Sequence, residues 1–231
     1  MRSNSNTLLH EKQYSYKEIS IAKVIVKNKL LNQRNTLNNI RQKDSDVKKA
    51  IIDIDKYIDK INEVTNVYEL LSIEGNSAKN YFKNIFSSLP WIGRKPRIKI
   101  DFINCTLDIG YTILFALIDS IISCYGFDTY KGVYHTQFYM RKSLVCDLVE
   151  PFRCLIDWQV RKSYNLGQIN KNDFVYVNHQ YKLKWEKSKD YVSFLMNCLI
   201  DRKDDIFLYL QEYYRTFMKG KDISDYPMFM V

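Results

Sequence analysis

With 231 residues and a hydrophobic share of 46%, the chain can build one large domain or two modest ones, and it is no disordered tail. Its 18 Tyr set against 7 Gly and 4 Pro argue for long helices rather than a many-turned sandwich. The net charge of +9 sits in the first hundred residues, which hold 19 Lys and Arg against 10 Asp and Glu, while the remainder holds 16 of each. Such a surface suits a polyanion, through counterion release, or simply keeps the protein soluble.

Residues 1–14 are polar and read as a loose segment, and Asn, Ser and Thr stand where a signal peptide would need an apolar stretch. The expected division is a short N-terminal segment, 1–17, and one helical domain, 18–231. A helix is predicted over 17–41, where Ile21, Val24, Ile25 and Leu31 alternate with basic positions such as Lys29, leaving a cationic exposed side. A second, over 47–64, carries Ile51, Ile54, Tyr57, Ile58 and Ile61 at spacings of three and four; a third, over 67–87, carries Glu74.

Residues 89–97 form the clearest loop, with two Pro, one Gly and basic Arg94, Lys95 and Arg97. A core helix follows over 102–125, and its longest apolar run, 109–118, is about half the ~20 residues of a membrane span. A turn region over 126–134 leads to His135, and then to a helix carrying Asp147 and Glu150 that Pro151 should kink. Alternation over 174–183 predicts a short hairpin, and a last helix is expected over 187–218 before an irregular tail. The fold class is mainly α with at most that hairpin. The five cysteines have no close-spaced metal motif and read as reduced core residues, so a cytoplasmic protein with no membrane association is expected.

Asp147 and Glu150 stand three apart between Leu144, Leu148 and Phe152, a spacing that places both acids on one helical face. With Glu74 and His135 they are hard donors plus an imidazole, suited to a divalent ion. Each also has an ordinary reading: Glu74 as a solvated acid, His135 as a cap, and the pair as surface acids with Arg153 neutralising Glu150. Ser143 or Cys146 with His135 lacks the strand-to-helix elbow and oxyanion loop of a nucleophilic enzyme, and no phosphate-binding glycine motif is present.

Residues 70–82 (Leu-Leu-Ser-Ile-Glu-Gly-Asn-Ser-Ala-Lys-Asn-Tyr-Phe), 132–135 (Gly-Val-Tyr-His) and 143–153 (Ser-Leu-Val-Cys-Asp-Leu-Val-Glu-Pro-Phe-Arg) closely resemble the catalytic lobe of the CRISPR-associated spacer integrase, the first numbered Cas protein family. Supporting similarities are the stretch from Ile21-Ala22-Lys23 to Asn32-Gln33-Arg34, Asn104 with Gly110-Tyr111, and residues 214–217, so the resemblance runs from about residue 18 to the end. It implies one magnesium or manganese ion held by Glu74, His135 and Glu150, with Asp147 supporting the site or binding DNA. It also implies a transesterification, in which the 3′-hydroxyl of a short DNA fragment attacks a phosphodiester at the edge of a CRISPR repeat; related cleavage uses water.

Family members usually open with a β-rich domain, and because only about 17 residues precede the first matched helix, the expectation is a chain without that domain, like the short form of some type V systems. That form is thought to work without the second adaptation protein. The expected partners are double-stranded DNA, as spacer fragment and CRISPR repeat, and further copies of the chain in a homodimer or higher homo-oligomer. Arg94, Lys95, Arg97, Arg141, Lys142 and Arg153 are the candidate DNA contacts, lying in loops or beside the site. A non-catalytic helical nucleic-acid scaffold and a plain metal-dependent nuclease are the rival readings.

Overall fold

Polar residues at helix starts set much of the architecture of the computed structural model, which describes residues 7–95 and 98–231. Arg97 therefore lies outside the described residues. Asp44 accepts from Val47 N at 2.8 Å and opens α3 (Ser45–Lys60), whose Val47, Ala50, Ile54 and Ile58 are buried on one face. Asn66 caps α4 (Val67–Ile85), and Glu69 reaches back to Thr65 N at 2.9 Å. Asp101 caps α5 (Phe102–Cys124) through Asn104 N at 2.6 Å.

The expected loose start is partly a helix, α1 (Thr7–Ser15), with Leu9 fully buried. It braces the turn region downstream: Gln13 Nε2 donates to Asp128 O, Asp128 N donates to Gln13 Oε1, and Tyr14 donates to Asp128 Oδ2 at 2.6 Å. These long-range contacts were invisible in a polar stretch read by itself.

α2 (Ser20–Asn38) also departs from expectation. No residue between Ile21 and Leu37 is fully exposed, and its basic residues are half-buried rather than forming an open cationic side. The helix packs against α3 and α4 and against the Glu150–Phe152 turn. Its buried polar residues are satisfied: Asn28 exchanges hydrogen bonds with Phe229, and Asn32 Nδ2 donates to Phe229 O and to Pro151 O at 3.0 Å. The tail past Gly220 is thus anchored, with Phe229 buried against Phe152.

α5 is long and apolar enough by length and composition to cross a membrane, and in this fold it is a core strut against α7 (Arg153–Asn165) and α8 (Ser188–Ile200). Asp108 and Asp119, which flank its longest apolar run, pair with Arg94 and Lys142 at 2.7 and 2.6 Å.

The helix expected to carry both acids is interrupted instead of bent. α6 (Ser143–Leu148) ends, a 3₁₀ turn spans Glu150–Phe152, and α7 begins at Arg153. Pro151 has no N–H to continue the ladder, and Asn32 takes its carbonyl. β1 (Phe174–Val177) and β2 (Gln180–Leu183) form the expected hairpin, with Val177 opposite Gln180 and positive φ at both Asn178 and His179. The predicted last helix is two: α8, then α9 (Lys203–Lys219), closed by left-handed Gly220. At the break Arg202 donates to Met230 O at 2.7 Å.

Candidate active site

Asp147 is completely buried in α6, yet each of its oxygens has two donors. Oδ2 accepts from Val133 N at 2.7 Å and Tyr134 N at 3.0 Å; Oδ1 accepts from His135 N at 2.9 Å and from His135 Nδ1 at 2.7 Å. The carboxylate therefore folds the Gly132–His135 segment around itself. Gly132 has no alternative, because a Cβ there would stand 2.7 Å from Asp147 Oδ2 and 2.8 Å from His135 O. With Nδ1 committed to a carboxylate, Nε2 is the ring nitrogen left for a ligand.

Burial works to lower the His135 pKa, but the Asp147 hydrogen bond and the charges of Asp147, Glu150 and Glu74 outweigh it and raise the pKa. The neighbouring Tyr134 ring meets the imidazole edge-on with centroids 5.0 Å apart, and its hydroxyl donates to Glu74 Oε2. Glu74, on α4, is far from the solvated acid of the ordinary reading.

Its other oxygen, Oε1, pairs with Lys29 of α2. The same ammonium lies 2.5 Å from Glu150 Oε2, which accepts no directed hydrogen bond, while Glu150 Oε1 accepts from Arg153 Nε at 2.9 Å. Burial opposes ionisation of Glu150, but Arg153 and Lys29 overcome it and hold its pKa at about 2. Lys29 likewise stays charged: burial lowers its pKa, and the two carboxylates more than restore it.

Asp147 and Glu150 thus do not project together. One organises the histidine loop and the other faces the lysine, because the helix ends between them. Glu150 lines a cleft of about 900 Å³ together with Lys29, Arg94, Lys99, Asp108, Tyr111 and Arg153, while Glu74 lies across the Lys29 ammonium and His135 is near enough to both acids for their charges to raise its pKa. Among the described residues, no three His, Cys, Asp or Glu side chains stand close enough to enclose an ion as arranged. The donor set nevertheless fits a divalent cation: the buried Glu150 carboxylate and the partly buried Glu74 carboxylate already converge on one positive charge, and an imidazole lies beside them.

The basic candidates differ. Arg153 and Arg94 flank the Tyr111 ring at 4.7 and 5.2 Å, and Arg94 also holds Asn104 and Asp108. Lys142 pairs with Asp119, Arg141 donates to Thr136 O, and Lys95 is exposed. Sequence reasoning missed Lys29 as a member of the site, and also Tyr134, Tyr111 and buried Asp157, which accepts from Tyr111. The available signal was the polar series Asn28, Lys29, Asn32, Gln33 and Thr36, which recurs at helical spacing among the apolar residues of α2.

The family model for "CRISPR associated protein Cas1" matches residues 1–196. The chain belongs to the Cas1 family. A CRISPR-associated endonuclease Cas1 of Thermodesulfovibrio yellowstonii is 34% identical over 74% of this chain and 58% of its own length. One from Archaeoglobus fulgidus is 32% identical over 67% of the chain and 52% of its own. The chain thus spans little more than half of these Cas1 relatives. Among solved structures, a Cas6-RT-Cas1–Cas2 complex superposes with a TM-score of 0.89 at 26% identity, over 97% of this chain and 27% of that one. A Cas1 protein from Thermotoga maritima gives 0.82 at 24% identity over 96% and 73%, and a casposase bound to integration product gives 0.81 at 23% over 98% and 70%; both show the shared fold. The helical Cas1 catalytic domain expected from the sequence is the fold observed.

Proposed function

We propose that this Cas1 chain is a metal-dependent DNA integrase and endonuclease, acting in the cytoplasm, that inserts spacer DNA into a CRISPR array. The observation that carries the reading is the convergence of Glu74 and Glu150 on one partly buried cation, with His135 Nδ1 fixed by Asp147 and its Nε2 without a hydrogen-bond partner among the described residues. In this reading Glu74, His135 and Glu150 hold one magnesium or manganese ion. When bound, such an ion supplies Lewis-acid polarisation of a phosphoryl oxygen.

The chain's own residues do the positioning. Asp147 orients the imidazole, Tyr134 holds one Glu74 oxygen, and Arg153 holds one Glu150 oxygen. No protein nucleophile is required, since a DNA 3′-hydroxyl or water attacks. Arg94, Lys99 and Arg153 line the cleft where a phosphodiester would lie. Beside His135, Phe138, Tyr139 and Met140 are exposed on a turn closed by Arg141 N donating to Phe138 O at 3.0 Å. Such rings suit stacking of an unpaired base.

The substrates proposed are a spacer fragment and a CRISPR repeat, handled by a homo-oligomer. Two structural neighbours are assemblies of Cas1 with Cas2, which supports adding a second adaptation protein to the partners. A half-site joining assay with magnesium or manganese tests the proposal: His135→Ala and Glu150→Ala should abolish joining, and a His135→Ala protein that joins as wild type does would overturn it. A non-catalytic scaffold would bind DNA with salt sensitivity but show no rise in melting temperature with manganese.

A further inference from the structure

Each carboxylate of the Glu74 and Glu150 pair has one oxygen anchored by a fixed donor and one facing Lys29. Tyr134 anchors Glu74 Oε2 and Arg153 anchors Glu150 Oε1. The two oxygens left over, Glu74 Oε1 and Glu150 Oε2, both point at the Lys29 ammonium. Take that ammonium away and one oxygen from each acid is released toward a single point, while the anchored oxygens keep both side chains in place.

We infer that Lys29 is the resident cation of this site: it occupies the place a divalent ion would take between Glu74 and Glu150, and it is turned out when metal loads. The inference rests on the metal-binding reading above. A buried and a partly buried carboxylate facing one point without a counter-charge are costly to fold, so the metal-free protein needs a positive charge there. A lysine can both fill and vacate it, because its ammonium is a point charge on a four-carbon stem with no second group fixed in plane. Arginine, with its rigid fork, would be held by both acids at once. A metal ion and the ammonium cannot share the position, since their repulsion at contact distance is severe outside bulk water.

There is space for the displaced chain. Lys29 itself lines the 900 Å³ cleft, whose wall continues through Arg94, Lys99, Asp108 and Arg153. Swung into it, the ammonium adds a charge where the phosphate backbone would run. Lys29 is therefore a positioning residue that holds the acids ready in the empty site and competes with the ion that replaces it.

Calorimetric titration of the full chain with manganese alone, no DNA present, compares wild type with Lys29→Met and Lys29→Arg. Lys29→Met, which keeps the stem and removes the charge, should bind manganese roughly tenfold more tightly or better. Lys29→Arg should bind no more tightly than wild type. Equal or weaker binding by a folded Lys29→Met overturns the competition while leaving the metal site standing. Absence of binding by both wild type and Lys29→Met removes the metal reading and this inference with it. Should Lys29→Met fail to fold, acetic anhydride labelling of wild type read by mass spectrometry decides: Lys29 modification must rise when manganese is added, and an unchanged rate overturns the proposal.

Discussion

Asp147 accepts both the backbone N–H and the Nδ1–H of His135 on the same oxygen, at 2.9 and 2.7 Å. This makes the acid next to the predicted ligand pair an orienting group. Asp147→Asn would place an amide donor against N–H groups on one side, freeing the imidazole to rotate and to change tautomer. Manganese affinity, measured by titration, should fall about 10–100-fold while the helical circular-dichroism signal persists.

Gly132 and Gly75 should respond in opposite directions to alanine. At Gly132 the added methyl collides with Asp147 Oδ2 and His135 O, none of which can retreat without breaking the loop. Thermal unfolding should show a loss of about 1–3 kcal/mol, with DNA joining lost as well. Gly75 lies in α4 with nothing within 4 Å of a Cβ, so Gly75→Ala should stabilise by about 0.5–1 kcal/mol. It tests whether that glycine, adjacent to Glu74, is needed for anything beyond its neighbour's position.

Burial pushes the Asp157 carboxyl up to about 6, from 3.8, even with Tyr111 donating to it. The folded chain then holds this proton more tightly than the unfolded chain, so ionisation above about pH 6 opposes folding and the penalty fades as pH falls toward 3.8. Asp157→Asn keeps an oxygen for Tyr111 and cannot ionise. Its melting temperature should exceed that of wild type at about pH 7.5, with the gap closing near pH 4. A gap of the same size at both pH values would show that the ionisation is not the cause.

The exposed turn at Phe138 and Tyr139 yields a binding prediction distinct from catalysis. Replacing both with alanine should weaken binding of DNA with unpaired ends by about 1–3 kcal/mol per lost stack, measured by fluorescence anisotropy. Blunt duplex should bind nearly as before, and manganese affinity should not change.

Much of this protein was readable from one chain of letters. The spacing of Ile54, Ile58 and Ile61, all buried, encodes a helix face because burial of a periodic stripe needs only local geometry, although Ile51 and Tyr57 of the same predicted stripe are only partly covered. The hairpin at 174–183 was legible for the same reason, and residues 70–82, 132–135 and 143–153 carried the family by their types in order. The break at Pro151 was half legible. Its missing N–H forbids a continuous ladder, but whether a helix bends or stops there depends on Asn32, more than a hundred residues earlier, taking the freed carbonyl.

What the sequence determined alone was the identity of the chemical groups: a mainly helical Cas1 chain with Glu74, His135, Asp147 and Glu150 among its polar residues. Tertiary structure decided what each group faces. Lys29 could not be placed from its helix, since a lysine in an amphipathic pattern defaults to solvent, and only the approach of α4 and the Glu150–Phe152 turn buries it between two acids. Asp147 and Glu150, alike in type and three residues apart, acquired different tasks because the backbone changes direction between them. Side-chain chemistry is local, whereas the partner that gives it meaning is set by packing across the whole chain.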